Sequence, residues 1–281
     1  MLGPSHALSG AAVWAGGSLA LAQFAGFHQT PLQLAVGTAM CAGGALMPDL
    51  DLSGRVTSNQ GGATVAHTFG VFSLFLAEVI EKVSLGVYDV TKTRADPHRD
   101  NGHRTLTHTL VFNVAVGAGV SALCTEFGKT AVIAVLFFTF AMALRGLFVK
   151  WAQRAGWLIV TLVSAGAAFF AYERLPGGRG YPVLGVAIGV GGIVHLLGDM
   201  LTRHGCPLLW PFPVGRRMWR CLGVPDSVSV KVGGKVEVYV LRTTFALATL
   251  AAVGYLVVPV VLPASAHAWI AHTVFATTSG K

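Results

Sequence analysis

The side chains able to do chemistry in this sequence are histidines and aspartates, at spacings that suit a divalent metal ion. His195 and Asp199 are four residues apart, so a helix carries both on one face, as paired ligands require. Asp49 and Asp51 follow Pro48, where a helix ends. An Asp-x-Asp turn can give two oxygen ligands to one ion or one to each of two. His103, Arg104, Thr107 and His108 crowd the start of an apolar stretch near 105, and His6 opens the first such stretch. Each group alone has a plainer reading: a solvated loop, a hydrogen-bonded structural pair, exposed histidines, a polar terminus. Together they come from four segments to one depth, and a buried carboxylate needs a cation or donors around it. Mixed imidazole and carboxylate donors suit zinc, manganese or iron better than calcium. The expected ligands are Asp49, Asp51, His103, His108, His195 and Asp199, with His6 beside them. Zinc is the first choice and manganese the second, as one ion or two. Arg104, four residues before His108, is read as sharing its helix face, where it would neutralise a phosphate oxygen. Thr107 and Thr202 would position ligands from behind.

Such groups need a scaffold, and the composition says which kind. Of 281 residues 53% are hydrophobic and only 11% are charged, against about 25% in an average soluble domain. Mean hydropathy is +0.64. A soluble domain of this size could not cover its surface with so few charges, which excludes a soluble enzyme, a disordered chain and a disulfide scaffold. The expected fold is all-α, a polytopic helical membrane protein. Apolar stretches at 7–27, 31–48, 105–125, 130–147, 155–172, 181–201 and 243–262 approach the length that crosses ~30 Å of hydrocarbon, giving about seven transmembrane helices. The 35 glycines fit helices that approach closely. An eighth stretch, 64–90, carries Glu78, Glu81 and Lys82 near its centre and reads as an interfacial or re-entrant helix.

The net charge of +8 fits loops facing an anionic leaflet. No nucleic-acid partner is expected, because neither basic stretch interleaves aromatic residues. With the N-terminus inside and 64–90 not crossing, sixteen of the twenty Lys and Arg residues fall on the inner side. All the candidate ligands then lie at the cytoplasmic boundary, and seven spans put the C-terminus outside. No charged n-region precedes the first apolar stretch, so no cleaved signal peptide is read. Val228, Val230, Val232, Gly233-Gly234, Val236, Val238 and Val240 alternate as a small cytoplasmic β-hairpin would. The four cysteines form no CxxC pair and read as unpaired thiols. One domain, 1–281, is the economical reading, with a motif core over about 1–242 and a last helix and tail over 243–281.

Three motifs carry a resemblance. Gly44-Ala45-Leu46-Met47-Pro48-Asp49-Leu50-Asp51, Gly102-His103-Arg104-Thr105-Leu106-Thr107-His108-Thr109 and His195-Leu196-Leu197-Gly198-Asp199-Met200-Leu201-Thr202 resemble those of the YdjM-like membrane-bound, metal-dependent hydrolases. These are bacterial inner-membrane proteins, some described as LexA-regulated. The likeness continues through Gly205-Cys206-Pro207-Leu208-Leu209-Trp210-Pro211-Phe212 and includes Gly233, Glu237 and the early His6, so it spans most of the chain to about 240. One departure is the long stretch between Asp51 and His103. His195, Asp199 and the later His204 are also similar, more weakly, to the pattern of zinc-dependent phospholipase C and P1 nuclease, which implies a phosphoester bond.

The reading that follows is a hydrolase in the bacterial inner membrane, acting at the cytoplasmic face on a phosphoester. Its expected partners are the lipid bilayer and a lipid or lipid-linked substrate. The competing reading is a metal- or proton-coupled transporter, which would place its site near the midplane with access from both sides. A structural membrane scaffold leaves the clustered His and Asp unexplained.

Overall fold

The computed structural model describes residues 1–52, 68, 71–175 and 181–261. The described chain is all-helical: α1 (Gly3–Ala25), α2 (Pro31–Gly44), α3 (Val71–Thr91), α4 (Leu110–Leu147), α5 (Val149–Arg174), α6 (Pro182–Met200) and α7 (Arg242–Val261). Local chemistry sets several boundaries. Prolines stand in the first turns of α1, α2 and α6, where the missing N–H costs nothing. Thr30 and Gln33 form a reciprocal capping box at the start of α2. Gly26, at φ 65°, closes α1 by returning its N–H to Leu21 O.

Contacts show which way each helix runs relative to the His/Asp end of the bundle. The stretch after α2 reaches that end, where Ala45 O meets the ring of His195. α4 leaves it with Asn113 against Gly192 and arrives at the start of α6, where Ser121 Oγ donates to Pro182 O at 2.8 Å. After Gly128, at φ 53°, the chain returns, and Gly146 lies against Ala7 and Leu46. The two halves of α4 therefore run in opposite senses. α5 leads away again, with Glu173 facing Lys129 at 3.7 Å. α7 starts where Arg242 Nε donates to Ser5 Oγ and reaches Tyr255, opposite Gln23.

The helices meet at glycines. A Cβ on Gly43 would lie 2.3 Å from Thr139 O, and one on Gly191 equally close to Cys41 O, so backbones touch with no side chain between them. Val36, Met40, Leu136 and Ile188 fill one core around these contacts, and Leu46, Leu50 and Met142 fill another beneath the site.

Five helices among the described residues are long and apolar enough to cross a membrane: Gly3–Ala25, Leu110–Leu147, Val149–Arg174, Pro182–Met200 and Val236–Val260. The expected count of about seven such helices is not reached among the described residues. The 31–48 stretch yields a helix of only 14 residues, because the chain turns after Gly44 and enters a 3-10 helix at Pro48–Asp51. Stretches 105–125 and 130–147 fall in the two halves of Leu110–Leu147, which part at Gly128 and run in opposite senses. The β-hairpin at 228–240 is also corrected. Val230 makes only an isolated bridge to Thr202, and Val236–Leu241 is a π-helix leading into α7. Glu237 decides this: its carboxylate accepts from Leu2 N and Ser5 Oγ, both at 2.6 Å, and from Gly233 N at 2.8 Å. That anchor pulls an alternating valine run into helix. The first residues of the expected 64–90 helix, with His67, and the tail 262–281 lie outside the described residues.

Candidate metal centre

Four elements supply the site. His6 comes from the first turns of α1, and Asp49 and Asp51 from the 3-10 helix Pro48–Asp51. His103 precedes and His108 ends a second 3-10 helix, Leu106–His108, while His195 and Asp199 sit in the last turns of α6. His6, Asp51, His108 and His195 are completely buried, and Asp49 and Asp199 nearly so. Two donor groups could hold an ion: Asp49, Asp51, His103 and His108, and His6, His195 and Asp199, the ligand atoms of each lying within 4.8 Å of one another.

Four atoms drawn from both groups stand out. His108 Nε2 and His195 Nε2 are 3.2 Å apart. Asp49 Oδ1 lies 3.7 Å from the first and 3.6 Å from the second. Asp199 Oδ2 lies 3.7 and 3.8 Å from the same two nitrogens. Neighbouring ligand atoms of a tetrahedral ion bound at ~2.0–2.2 Å lie about 3.3–3.6 Å apart, and these five distances are close to that range. The imidazoles are turned to serve it. His195 Nδ1 donates to Ala45 O at 2.8 Å, leaving the Nε2 lone pair directed inward, and His108 Nδ1 is 3.0 Å from Thr107 Oγ1. His6 stacks on His195 with ring centroids 3.7 Å apart, and neither of its buried ring nitrogens has a hydrogen-bond partner. His6 Nε2 lies 3.4 Å from Asp199 Oδ1, close enough to add a nitrogen to the same cluster without a well-formed hydrogen bond. The donor set therefore fits a divalent metal.

Asp51 is used differently. Its Oδ1 is 2.8 Å from His103 Nδ1, and its Oδ2 accepts from Thr107 Oγ1 at 2.6 Å and Arg104 N at 3.2 Å. Asn113 Nδ2 donates to Thr107 O and Thr109 O, pinning the same turn. Arg104 departs from expectation. It is not on a helix with His108: its φ is 57°, the one positive value among described non-glycine residues, and the 3-10 helix begins after it. That turn points its guanidinium at Asp199 Oδ2 (2.9 Å) and Gly205 O (3.2 Å). The α-ammonium of Met1 lies 2.6 Å from Asp199 Oδ1.

Electrostatics follows from this crowding. Burial works against the charged form of Asp51, but the charges of His108 and His103 and their hydrogen bonds outweigh it and hold the carboxyl down at about 2. Asp49 is likewise held below the usual carboxylate range against its burial, chiefly by the charge of His195 and a hydrogen bond to His108. Burial opposes charge on His108 too, yet Asp51's charge and hydrogen bonds to Asp49 and Asp51 raise it to about 9. The cluster attracts positive charge, which an ion or protons can supply. The neighbouring Cys206 is no thiolate: burial pushes it up to about 12, and Sγ donates to Leu196 O at 3.6 Å.

A pocket of about 310 Å³ opens on the cluster, lined by Asp49, His103, Arg104, Asp199 and His204 and by the apolar Leu52 and Val232. The structure thus brings together His6, Asp49, Asp51, His103, Arg104, Thr107, His108, His195 and Asp199. Reasoning from spacing did not find Ala45 O and Asn113 as orienting groups. A backbone carbonyl has no sequence signal, but an asparagine inside an apolar run is one.

The family model described as YdjM inner membrane protein matches residues 1–268, and the chain belongs to that family. No curated protein and no solved structure matches it, so the weaker likeness to phospholipase C and P1 nuclease has no support from a match.

Proposed function

We propose that this inner-membrane protein is a metal-dependent phosphoester hydrolase whose site faces the cytoplasm. The carrying observation is that His108 Nε2 and His195 Nε2 lie 3.2 Å apart, each within 3.6–3.8 Å of both Asp49 Oδ1 and Asp199 Oδ2. We assign these four as ligands of one ion, zinc or manganese. Asp51 is assigned the orienting role, because its oxygens are already engaged by His103, Arg104 and Thr107. His6 completes the shell from beneath, stacked on His195. Seven passages, with the N-terminus and site inside, are proposed from the alternating sense of the helices and the basic bias of the loops at the site end.

Bound there, a divalent ion supplies Lewis acidity: it offsets phosphate charge and lowers the pKa of water. The remaining chemistry belongs to the chain. Arg104, in the pocket wall, exchanges part of its contact with Asp199 for a phosphate oxygen. His103 has Nδ1 held on Asp51 and its ring in the pocket wall, which leaves Nε2 to give or take a proton, the arrangement of an oriented general acid–base. Leu52 and Val232 give the substrate an apolar wall.

The transporter reading needs a route past the site to the other end of the bundle. The close backbone contacts of Gly43 with Thr139 and of Gly191 with Cys41 count against such a route between those helices. The test is hydrolysis of bis(4-nitrophenyl) phosphate and of phosphatidylglycerol by detergent-purified protein. Activity should vanish with chelator and return with zinc or manganese. Metal-loaded protein that hydrolyses neither, or activity indifferent to chelator, contradicts the proposal.

A further inference from the structure

α3 has three faces. Ser73, Ala77, Ser84 and Tyr88 are buried against the rest of the chain. Glu78, Lys82 and Asp89 form a charged stripe, with Lys82 Nζ 2.7 Å from Glu78 Oε1 in an exposed pair. Between them runs a third stripe, at spacings of three, four, four and seven: Phe72 (64% exposed), Phe75 (63%), Val79 (40%), Val83 (54%) and Val90 (86%). A helix in water does not keep two phenylalanines and three valines in one exposed row.

The buried face rests on the site. α3 packs on Pro48–Asp51, the turn that carries Asp49 and Asp51. Gly102, immediately before His103, lies so close to α3 that a Cβ there would be 2.1 Å from Glu81 O and 2.9 Å from Leu85 N. One helix therefore braces both turns from which Asp49, Asp51, His103 and His108 project.

We propose that α3 lies in the plane of the membrane, with Phe72, Phe75, Val79, Val83 and Val90 in the headgroup–acyl boundary of the leaflet on the site's side. The occupant of the stripe is lipid. Three observations select it over a protein partner. The chain belongs to an inner-membrane family. Other exposed apolar residues lie on the site's side, Leu110, Val111 and Val114 at the start of α4 and the loop residues Leu209 and Phe212, next to where Leu110 N meets Leu208 O. The charged stripe lies beside the apolar one, as an in-plane helix needs for its water-facing side. By this geometry the bilayer holds the metal turns at headgroup depth, where a phosphate-bearing lipid presents its ester. The seating does not depend on the hydrolase proposal, and its test reads no activity.

The test is spin-label depth measurement on full-length protein in proteoliposomes of phosphatidylethanolamine and phosphatidylglycerol. Single cysteines at Phe75, Val79, Val83 and, as the water-side reference, Lys82 are labelled, with unsubstituted protein giving the background. Labels at the three apolar positions should collide readily with oxygen and little with a water-soluble nickel chelate, several-fold less than the label at Lys82. Nickel accessibility at Val79 and Val83 equal to that at Lys82 would overturn the proposal by placing the stripe in water. Shielding of those positions from both reagents would also overturn it, by placing a protein surface there.

Discussion

The two ends of this helical bundle treat charge in opposite ways. At one end Lys129 and Glu173 pair at 3.7 Å with both side chains largely in solvent, and the loop after α1 carries an exposed His28. At the other, three aspartates and three histidines are buried on the ends of the same helices and on the turns between them. Exposed pairs stabilise a fold little, whereas buried carboxylates without compensation cost several kcal/mol each. A fold that only needed joining would look like the first end. The second end has the donors that could hold a metal ion.

Removing a ligand at the buried end should have the largest effect. Asp199→Asn keeps the shape of the side chain but removes the charge that faces His108, His195 and Arg104. We expect metal affinity to fall by about 100-fold or more, read by competition with a metal-sensing chelator, since even outer partners of ligands contribute about 10–100-fold. Asp51→Asn sharpens the comparison from behind the ligands. It disturbs the hydrogen bonds that fix His103, Arg104 and Thr107, so a loss of about 10–100-fold in metal affinity is expected, with the helical circular dichroism unchanged. An effect of Asp51→Asn larger than that of Asp199→Asn would reverse the roles assigned to the two carboxylates.

A smaller effect is expected at Asp96, which ties the loop after α3 to Met218 and Trp219. Its carboxylate accepts from Thr93 N, Met218 N and Trp219 N. Burial opposes the charge, but those backbone donors outweigh it and lower the pKa below the ordinary value. For a group lowered in the fold, the stabilisation is complete above the ordinary carboxylate pKa and disappears as pH falls through the folded one. Hydrogen exchange at Met218 and Trp219 should therefore quicken in Asp96→Asn at neutral pH, and in the unsubstituted protein only in acid. Exchange in the variant that matched the unsubstituted protein at neutral pH would show that the clamp does not hold the loop. At the opposite end, His28→Ala and Lys129→Gln should leave metal content and thermal midpoint unchanged within error. A loss of metal in either variant would break the contrast between the ends.

The site was more legible in the sequence than the fold around it. His195 and Asp199 declare a shared helix face by spacing, and Pro48 announces the turn that carries Asp49 and Asp51. Arg104 was misread because helical spacing to His108 assumes a helix, and a single residue at φ 57° undoes it. The valines around Gly233-Gly234 were misread for a related reason. Alternation measures local pattern, while the fate of the segment is set by Glu237 reaching Leu2 and Ser5, far away in the chain. Hydropathy found the apolar stretches, including the two that part at Gly128, but could not foresee that the second gives only a short helix.

The central claim is that four side chains from three elements hold one ion. X-ray absorption at the zinc edge, on detergent-purified protein loaded with zinc and dialysed, tests it most directly. The account predicts about one zinc per chain with a first shell of four nitrogen and oxygen atoms at ~2.0–2.1 Å, two of them from imidazole. Protein that remains folded but retains no stoichiometric zinc, or whose bound zinc shows sulfur ligands or no imidazole, would contradict it.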